Sequence, residues 1–371
     1  EHYSSFLFGG HHTTNPEATS ANLIPLFTGG RWKNEVDRYW KGQQYPADAP
    51  VFDARTLTTN DGVFMWQQLA TSKSYITAGQ DTTHGFLFAS NRHFGTYAAQ
   101  FDHVPPKVAQ GHFWTAWSPR IECAGSKRVY EHLLGYMASF IEQYDRVDLP
   151  TFSYTHLDLP HADLALAKVM DASMPRLLRG MLEAARASDR GLLLVLMGDH
   201  GPVEEPFLQK LPLMSFVVSR AAVLGRPDGA DAMRALRTNQ ARLTSHFDVR
   251  KTVFDLAGMA DPLGPDRPSP GRSLLRALPR DRTCADAGIP RSHCCCTARW
   301  EPVADAGASE RIARGALAKI NAAARAVTGG GVASSSPSAT AGACAALGFV
   351  RVTRHTVDRS ATASTVANAE S

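Results

Sequence analysis

The pattern of apolar and polar positions divides most of the chain into alternating helices and strands. An unbroken apolar run at 192–197 predicts a strand buried on both faces, and residues 151–155 and 213–219 predict two more strands. Amphipathic spacing predicts helices over 128–144 and 163–187. Helices and strands that alternate in this order favour right-handed crossovers and parallel strands. The sequence therefore predicts an α/β fold with a mainly parallel central sheet.

Weaker patterns fill the stretches around these elements. Residues 22–28 predict a short helix or strand that the following glycines end, residues 63–69 a helix, and residues 74–78 a strand. The aromatic segment 80–122 has no clear period and is interpreted as an insertion over the sheet edge or the mouth of a site. Asp248 is expected to cap a helix over 249–257.

Shifts in composition predict the domain organisation. Residues 1–260 are expected to form the main domain, and residues 261–300 form a loop rich in cysteine, proline and arginine. Residues 301–358 are expected to add a helix and a strand that pack on the same domain. Residues 359–371 predict a disordered tail.

Size and charge exclude several classes of protein. With 371 residues, of which 44% are hydrophobic, the chain can bury a large core. A net charge of +4 with interspersed acids and bases does not support nucleic-acid binding. No apolar run approaches the roughly 18 to 20 residues of a membrane span, and Glu1 opens no signal-peptide pattern. We expect the chain to begin inside a longer protein.

The cysteines are confined to a few places in the chain. Four of the six lie within the 13 residues of 284–296, and Cys123 and Cys344 lie far away. Without a second Cys-x-x-Cys arm, a zinc ribbon is not favoured. The pattern favours disulfides in an oxidising compartment, with free thiols of a reducing compartment as the alternative. We expect at least two pairs that tie the 284–296 segment to Cys123 or Cys344.

Candidate chemistry begins where the apolar run 192–197 ends. The run stops in Gly198, Asp199, His200 and Gly201, whose glycines allow a sharp turn at the carboxyl end of the strand. A carboxylate beside an imidazole offers the donors that Zn²⁺ and related divalent ions accept. The same residues also suit an ordinary cap and turn.

Two further polar clusters follow predicted elements, and together the three clusters predict a site. Two carboxylates with several imidazoles can hold a pair of divalent ions roughly 4 Å apart, and a hydroxyl beside them can serve as a nucleophile. Capping hydroxyls and structural histidines are the alternative. We expect the clusters to meet within about 8 Å of a shared centre. Their members are Thr19 and Asn22; His156, Asp158 and His161; and Asp199 and His200.

These segments resemble the alkaline phosphatase superfamily, which includes sulfatases and nucleotide pyrophosphatase/phosphodiesterases. Within it, the chain is most similar to a sulfatase-like eukaryotic family of unknown function. The resemblance implies an α/β/α sandwich with a mainly parallel central sheet whose first strand is missing. The segments that carry it are 19–29, 154–161, 197–201, 239–257 and 284–296.

The resemblance also implies roles for the candidate residues. Thr19 takes the position of the nucleophile, and Asn22 falls where related phosphodiesterases contact the transferred group. His246 is expected as a further ligand, although it also suits an incidental imidazole beside a helix cap. The implied metal ligands are Asp199, His200, His156, Asp158, His161 and His246.

The implied function is metal-dependent hydrolysis of phosphate or sulfate esters. The expected cofactors are divalent ions, with Zn²⁺ first and Ca²⁺, Mn²⁺ or Mg²⁺ as alternatives. The expected substrates are small-molecule, lipid-linked or glycan esters, and the expected location is the secretory pathway, the cell exterior or a membrane reached through an upstream anchor.

The sequence departs from the superfamily pattern in three places, one of which is a loop of only about ten residues after Gly201. The superfamily's first strand ends in a metal-binding aspartate, and no such strand fits before His2. The spacing from Asp158 to His161 is one residue shorter than in the phosphodiesterases. An inactive pseudoenzyme or extracellular binding module that keeps the fold is therefore the alternative function.

Overall fold

The chain folds into a mixed α/β structure. By its internal contacts it divides into two compact units, Glu1–Cys295 and Cys296–Ser371. The computed structural model describes the following residues: 2–15, 19–41, 50–53, 62–81, 101–104, 123–157, 165–186, 191–202, 207–259, 270–295, 300–302, 311, 314–315, 318 and 356–358.

The first unit contains all the described α-helices with assigned bounds and most of the strands. The helices are α1 (Thr19–Thr28), α2 (Lys33–Tyr39), α3 (Met65–Lys73), α4 (Val129–Asp145), α5 (Ala165–Asp171), α6 (Met174–Ala184), α7 (Arg220–Leu224), α8 (Gly229–Asn239) and α9 (His246–Leu256). The strands are β1 (Tyr3–Leu7), β2 (His11–His12), β3 (Arg31–Trp32), β4 (Val51–Phe52), β5 (Ile76–Asp81), β6 (Cys123–Ala124), β7 (Lys127–Arg128), β8 (Thr151–His156), β9 (Leu193–Met197), β10 (Met214–Ser219) and β11 (Thr244–Ser245).

The strand β9 lies in a three-stranded antiparallel sheet with the order β1-β10-β9. Phe216 of β10 pairs with Phe6 on one side and with Val195 on the other. The connection 198–213 lacks a crossover helix in its described part, so the chain returns antiparallel. The expected parallel pairing of β9 is therefore wrong for its described neighbour, and β9 is half-buried, because it lies at one edge of this sheet.

Parallel pairing is present elsewhere. The strands β5 and β8 pair in parallel from Ile76 opposite Thr151 to Asp81 opposite His156, and the connection between them contains α4. Shorter parallel pairs join β3 to β4 and β2 to β11. These pairs confirm the prediction of an α/β structure with parallel strands. The pair of β2 and β11 also brings together two segments that are distant in the sequence.

The core anchors α1, the helix that begins at Thr19. Its residues from Ala21 to Thr28 are all buried, and the Phe27 ring meets the Trp66 ring edge-on at 5.0 Å. The buried Arg250 of α9 donates to the Phe27 carbonyl at 2.6 Å near the carboxyl end of α1, where a cation is favourable. Burial and this hydrogen bond hold α1 firmly against α9.

Two helix predictions need correction. The helix expected over 163–187 is interrupted between α5 and α6, where Pro175 occupies the first turn of α6 because it lacks a backbone N–H for a helix interior. The cap of α9 is Ser245 rather than Asp248. Asp248 lies in the first turn and accepts the Ser245 N–H at 2.8 Å, as in a capping box.

In the second unit, β12 (Trp300–Pro302) pairs antiparallel with β13 (Thr356–Asp358). Most of the predicted C-terminal helix, the predicted strand over 348–354 and the predicted tail lie outside the described residues. Among the helices that are described, none has the length and apolar character needed to cross a membrane.

Candidate functional site

The amino end of α1 presents Thr19. Asn22 is fully buried one turn later, and its side-chain oxygen accepts the backbone N–H groups of Thr14 at 2.9 Å and Asn15 at 2.8 Å. These bonds fix the path of the chain just before the helix. Asn22 therefore positions the segment that leads to Thr19, and its contact with a transferred group stays a prediction.

The carboxyl end of β9 presents Asp199 and His200. The His200 Nε2 lies 3.5 Å from the Asp199 Oδ2, and its Nδ1 donates to the Gly201 carbonyl at 2.8 Å. A Cβ on Gly201 would lie 2.1 Å from the Leu208 carbonyl oxygen. Only glycine fits this turn, which folds the following segment back beside the site.

The structure brings Thr19, His156 and His200 together around Asp199. Burial raises the pKa of the Asp199 carboxyl, but His200, His156 and a hydrogen bond with the Thr19 hydroxyl outweigh it and lower that pKa. Asp199 is therefore held as a carboxylate. Three separate segments contribute these side chains, while Asp158 and His161 lie outside the described residues.

His246, at the start of α9, joins this group. It is fully buried, and burial lowers its pKa to about 4, although the nearby Asp199 charge opposes this shift and Arg31 adds to it. The imidazole is therefore neutral at pH 7, which is the form that binds metals. The sequence left open whether His246 lies at the site, and the structure places it next to Asp199.

His11 was not predicted as a site residue. Its ring lies 5.0 Å from the His246 ring, and its Nδ1 is 3.0 Å from the Thr244 hydroxyl, because β2 pairs with β11. Burial, and then the charges of His246 and His12, lower its pKa well below the usual range. The only sequence feature that could have indicated this site residue was the adjacent pair His11 and His12, which follows β1.

Arg31 was also missed. It is buried, its guanidinium donates to the Gly288 carbonyl, and it lies over the rings of Trp40 at 5.7 Å and Phe247 at 5.3 Å. Its charge acts on His246. A buried cation at this place favours an anionic occupant of the site.

Several buried polar atoms of the site have no hydrogen-bond partner in the part of the chain that the structure describes. They are Oδ2 of Asp199, both ring nitrogens of His246 and Nε2 of His11. Buried polar atoms are usually satisfied, so these point to an occupant such as a metal ion or an anion. One carboxylate with several imidazoles suits Zn²⁺. No group of three His, Cys, Asp or Glu within the described ranges is arranged as a metal site.

The prediction of disulfides is confirmed, the predicted bond to Cys123 is wrong, and the predicted bond to Cys344 lies outside the described residues. Cys284 and Cys294 form a disulfide with their Cα atoms 5.9 Å apart. The bond lies within the cysteine-rich segment, and Cys123 is a free, exposed thiol. The short helical turn Ala285–Ala287 and the left-handed Gly288 (φ 70°) fold the segment back on itself, which lets the two cysteines meet. Cys296 and Cys344 lie outside the described residues.

Acid is expected to destabilise the protein between pH 6.5 and 4. The His246 pKa is about 4 in the folded state against 6.5 when unfolded, so the folded state binds fewer protons in this range. The stability present above pH 6.5 falls by about 3 kcal/mol as the pH approaches 4. Urea unfolding of the metal-free protein across this range measures the slope. His246→Gln should flatten it and the exposed-site control His2→Gln should not; equal slopes in both variants would contradict the assignment.

Comparison with known families identifies the chain. No curated protein sequence matched it. A family model described as "Protein of unknown function (DUF229)" matches residues 13–329, a range that includes all eight predicted site residues. The chain therefore belongs to the DUF229 family, a family of unknown function.

Proposed function

We propose that this protein is a metal-dependent hydrolase of phosphate or sulfate esters, of sulfatase-like type within the alkaline phosphatase superfamily, and that Thr19 is its nucleophile. One observation carries the proposal. Thr19, His156 and His200, which come from three separate segments, act together on the buried Asp199 carboxylate and lower its pKa. The proposal includes the α/β/α sandwich of the superfamily. The mixed α/β structure of the chain is compatible with such a sandwich.

The position of Thr19 suits a nucleophile as well as a helix cap. Thr19 lies in the first turn of α1, where hydroxyls often cap the helix, and it also acts on Asp199 at the end of β9. Thr19 is the first residue of α1, where backbone N–H groups and the helix dipole favour a negative charge. An ester with an anionic phosphate or sulfate group fits this position.

The described residues that would hold the metal are Asp199, His200, His156 and His246. When bound, a divalent ion would make the hydroxyl more acidic and offset the charge that develops on the transferred group. The carboxylate form of Asp199 and the neutral form of His246 are those that coordinate metals. Zn²⁺ is proposed first, with Ca²⁺, Mn²⁺ and Mg²⁺ as alternatives.

The proposed reaction has two steps. The Thr19 oxygen loses its proton and forms a bond to phosphorus or sulfur while the bond from that atom to the ester oxygen breaks, and the alcohol leaves with a proton. Water then attacks the same atom, which releases phosphate or sulfate and restores the Thr19 hydroxyl. Asp199, whose pKa Thr19 lowers, would accept the Thr19 hydroxyl proton in a hydrogen bond and orient that hydroxyl, and Arg31 would supply positive charge nearby.

The proposal extends to the substrate class and the location of the protein. Small-molecule, lipid-linked or glycan esters suit an anion site of this kind. The disulfide between Cys284 and Cys294 supports passage through an oxidising compartment, because such bonds persist there.

A binding module that keeps the fold without catalysis is the second candidate. It is favoured by the lack of a three-ligand metal arrangement among the residues that the structure describes. In that case the buried imidazoles and Arg31 would bind an anionic group without turning it over.

Asp199→Asn is expected to weaken Zn²⁺ binding about 100-fold or more, because the substitution removes the charge that the imidazoles surround. Competition with a chromophoric chelator measures the affinity of the full chain. Asp37→Asn is the matched control, since Asp37 lies in an exposed pair with Lys33. Equal affinity in the two variants, or no Zn²⁺ binding by the unmodified protein, would overturn the proposed metal site.

A further inference from the structure

A disulfide-closed loop lies against the candidate site. We call residues 284–294 the cystine loop, since the bond between Cys284 and Cys294 closes it. Ala287 and Ile289 are buried and form a small apolar cluster with the two cysteines, against which Leu243 packs. The loop has its own core, and the backbone carbonyls of Ala287, Gly288 and Ser292 accept hydrogen bonds from residues outside it.

Two of these carbonyls accept hydrogen bonds from residues of the site region. The Ser245 hydroxyl donates to the Ala287 carbonyl at 2.8 Å, and the Arg31 guanidinium donates to the Gly288 carbonyl. Ser245 directly precedes His246, and Arg31 is the cation whose charge acts on it. The loop therefore bonds to two of the residues around the buried His246 imidazole.

His293 connects the loop to the segment that precedes α1. It is buried, its Nδ1 donates to the Thr14 carbonyl at 3.0 Å, and its ring packs on the Tyr39 ring at 4.5 Å. Thr14 is the residue whose backbone N–H bonds to Asn22, one turn beyond Thr19. The loop thus reaches the nucleophile's helix through the backbone.

A fourth connection involves the segment after Asp199 and His200. The Lys210 ammonium donates to the Ser292 carbonyl at 3.2 Å, and the Lys210 carbonyl accepts the Thr13 N–H at 2.9 Å. With the bonds to Ser245, Arg31 and Thr14, this makes four connections between the loop and residues around the candidate site.

We propose that the cystine loop is a positioning element of the candidate site, and that His293 is a positioning residue that acts through Thr14. Reduction by a dithiol converts the Cys284–Cys294 bond to two thiols while the dithiol is oxidised to its own disulfide. The opened loop then loosens the segments 13–15, 31–32 and 244–248. The inference about metal affinity rests on the proposed function; the inference about these segments does not.

Hydrogen exchange on the full chain tests the positioning role. The double variant Cys284→Ser, Cys294→Ser should exchange about tenfold faster than the parent at 13–15, 31–32 and 244–248, with α4 unchanged. Cys123→Ser, at the exposed free thiol, is the matched control. Unchanged exchange at the three segments would overturn the proposal. Equal acceleration in α4 would do the same, since it would show that the bond only stabilises the whole unit.

His293 provides a second test through Zn²⁺ affinity. His293→Ala should weaken Zn²⁺ binding by about tenfold. This is the loss expected for a group that positions the metal ligands without contacting the metal itself. His293→Asn should restore it, because the asparagine amide nitrogen can replace Nδ1 as donor to Thr14. Ser292→Ala, which alters only an exposed hydroxyl, is the control. Equal affinity in the alanine variant and the parent would contradict the role of His293.

The two tests separate the proposals. If the parent binds no Zn²⁺ but opening the loop still accelerates exchange at the three segments, the positioning role stands and the proposed metal-dependent function fails. If Zn²⁺ binds but the exchange is unchanged, the positioning role fails alone.

Discussion

Thr19→Ala should abolish ester hydrolysis, with kcat/KM falling by at least about 10³-fold, because the variant lacks the oxygen that forms the covalent intermediate. The Thr19 hydroxyl lowers the pKa of the Asp199 carboxyl, so its loss should also raise that pKa. Turnover of aryl phosphate, phosphodiester and sulfate esters with added Zn²⁺, Mn²⁺ or Ca²⁺ measures the effect. Zn²⁺ binding should remain, since the proposed ligands are intact.

Two controls accompany this variant. Thr19→Ser keeps a hydroxyl at the same place and should retain turnover, while Ser20→Ala changes the adjacent hydroxyl and should have little effect. Unchanged turnover in Thr19→Ala would remove Thr19 as the nucleophile. If the parent is inert with every ester and metal, the binding-module function becomes the better one.

Asp248→Ala should lower the free energy of unfolding by about 3–5 kcal/mol, because it leaves the buried Arg282 charge without its counter-ion. Both side chains are almost fully buried, and the guanidinium makes two hydrogen bonds of 2.8 Å to the two carboxylate oxygens. The same carboxylate accepts the Arg272 N–H at 2.7 Å, so the loss also frees the segment before the cystine loop. Urea unfolding at pH 7 measures it.

The matched control breaks an exposed ion pair. Asp37→Ala removes the partner of Lys33 on α2 and should cost less than about 1 kcal/mol, since both side chains are solvated. Replacing both buried partners, as in Asp248→Leu with Arg282→Met, should recover part of the loss, because no buried charge then remains. A loss in Asp248→Ala no larger than in Asp37→Ala would contradict this prediction.

Local sequence pattern was sufficient for much of the secondary structure. The amphipathic stripe over 128–144 matches α4 to within one residue at each end, and the segments 151–155 and 213–219 match β8 and β10 closely. These elements could be predicted because the spacing of apolar side chains within each short segment indicates a helix or a strand. The split of the 163–187 helix was missed, although Pro175 was visible, because apolar spacing continues across the break.

The candidate site was predicted in part for a similar reason. Motifs drew attention to Thr19, Asp199, His200 and His156, and the structure brings these four together. His11 and Arg31 carry no motif, and they reach the site only because β2 pairs with β11 and because Gly288 receives the guanidinium. Such placements depend on long-range pairing, which no local pattern encodes.

The sequence by itself determined the helices α3, α4 and α9, the strands β5, β8, β9 and β10, the α/β class and the segments that bear the candidate chemistry, because these follow from side-chain periodicity and local turns. Only the tertiary structure decided that β9 pairs antiparallel with β10, that Cys284 bonds to Cys294 rather than to Cys123, and that His246 is a buried neutral imidazole. Each depends on how the chain packs in three dimensions, since chain reversal, distance between Cα atoms and desolvation are properties of the packed chain.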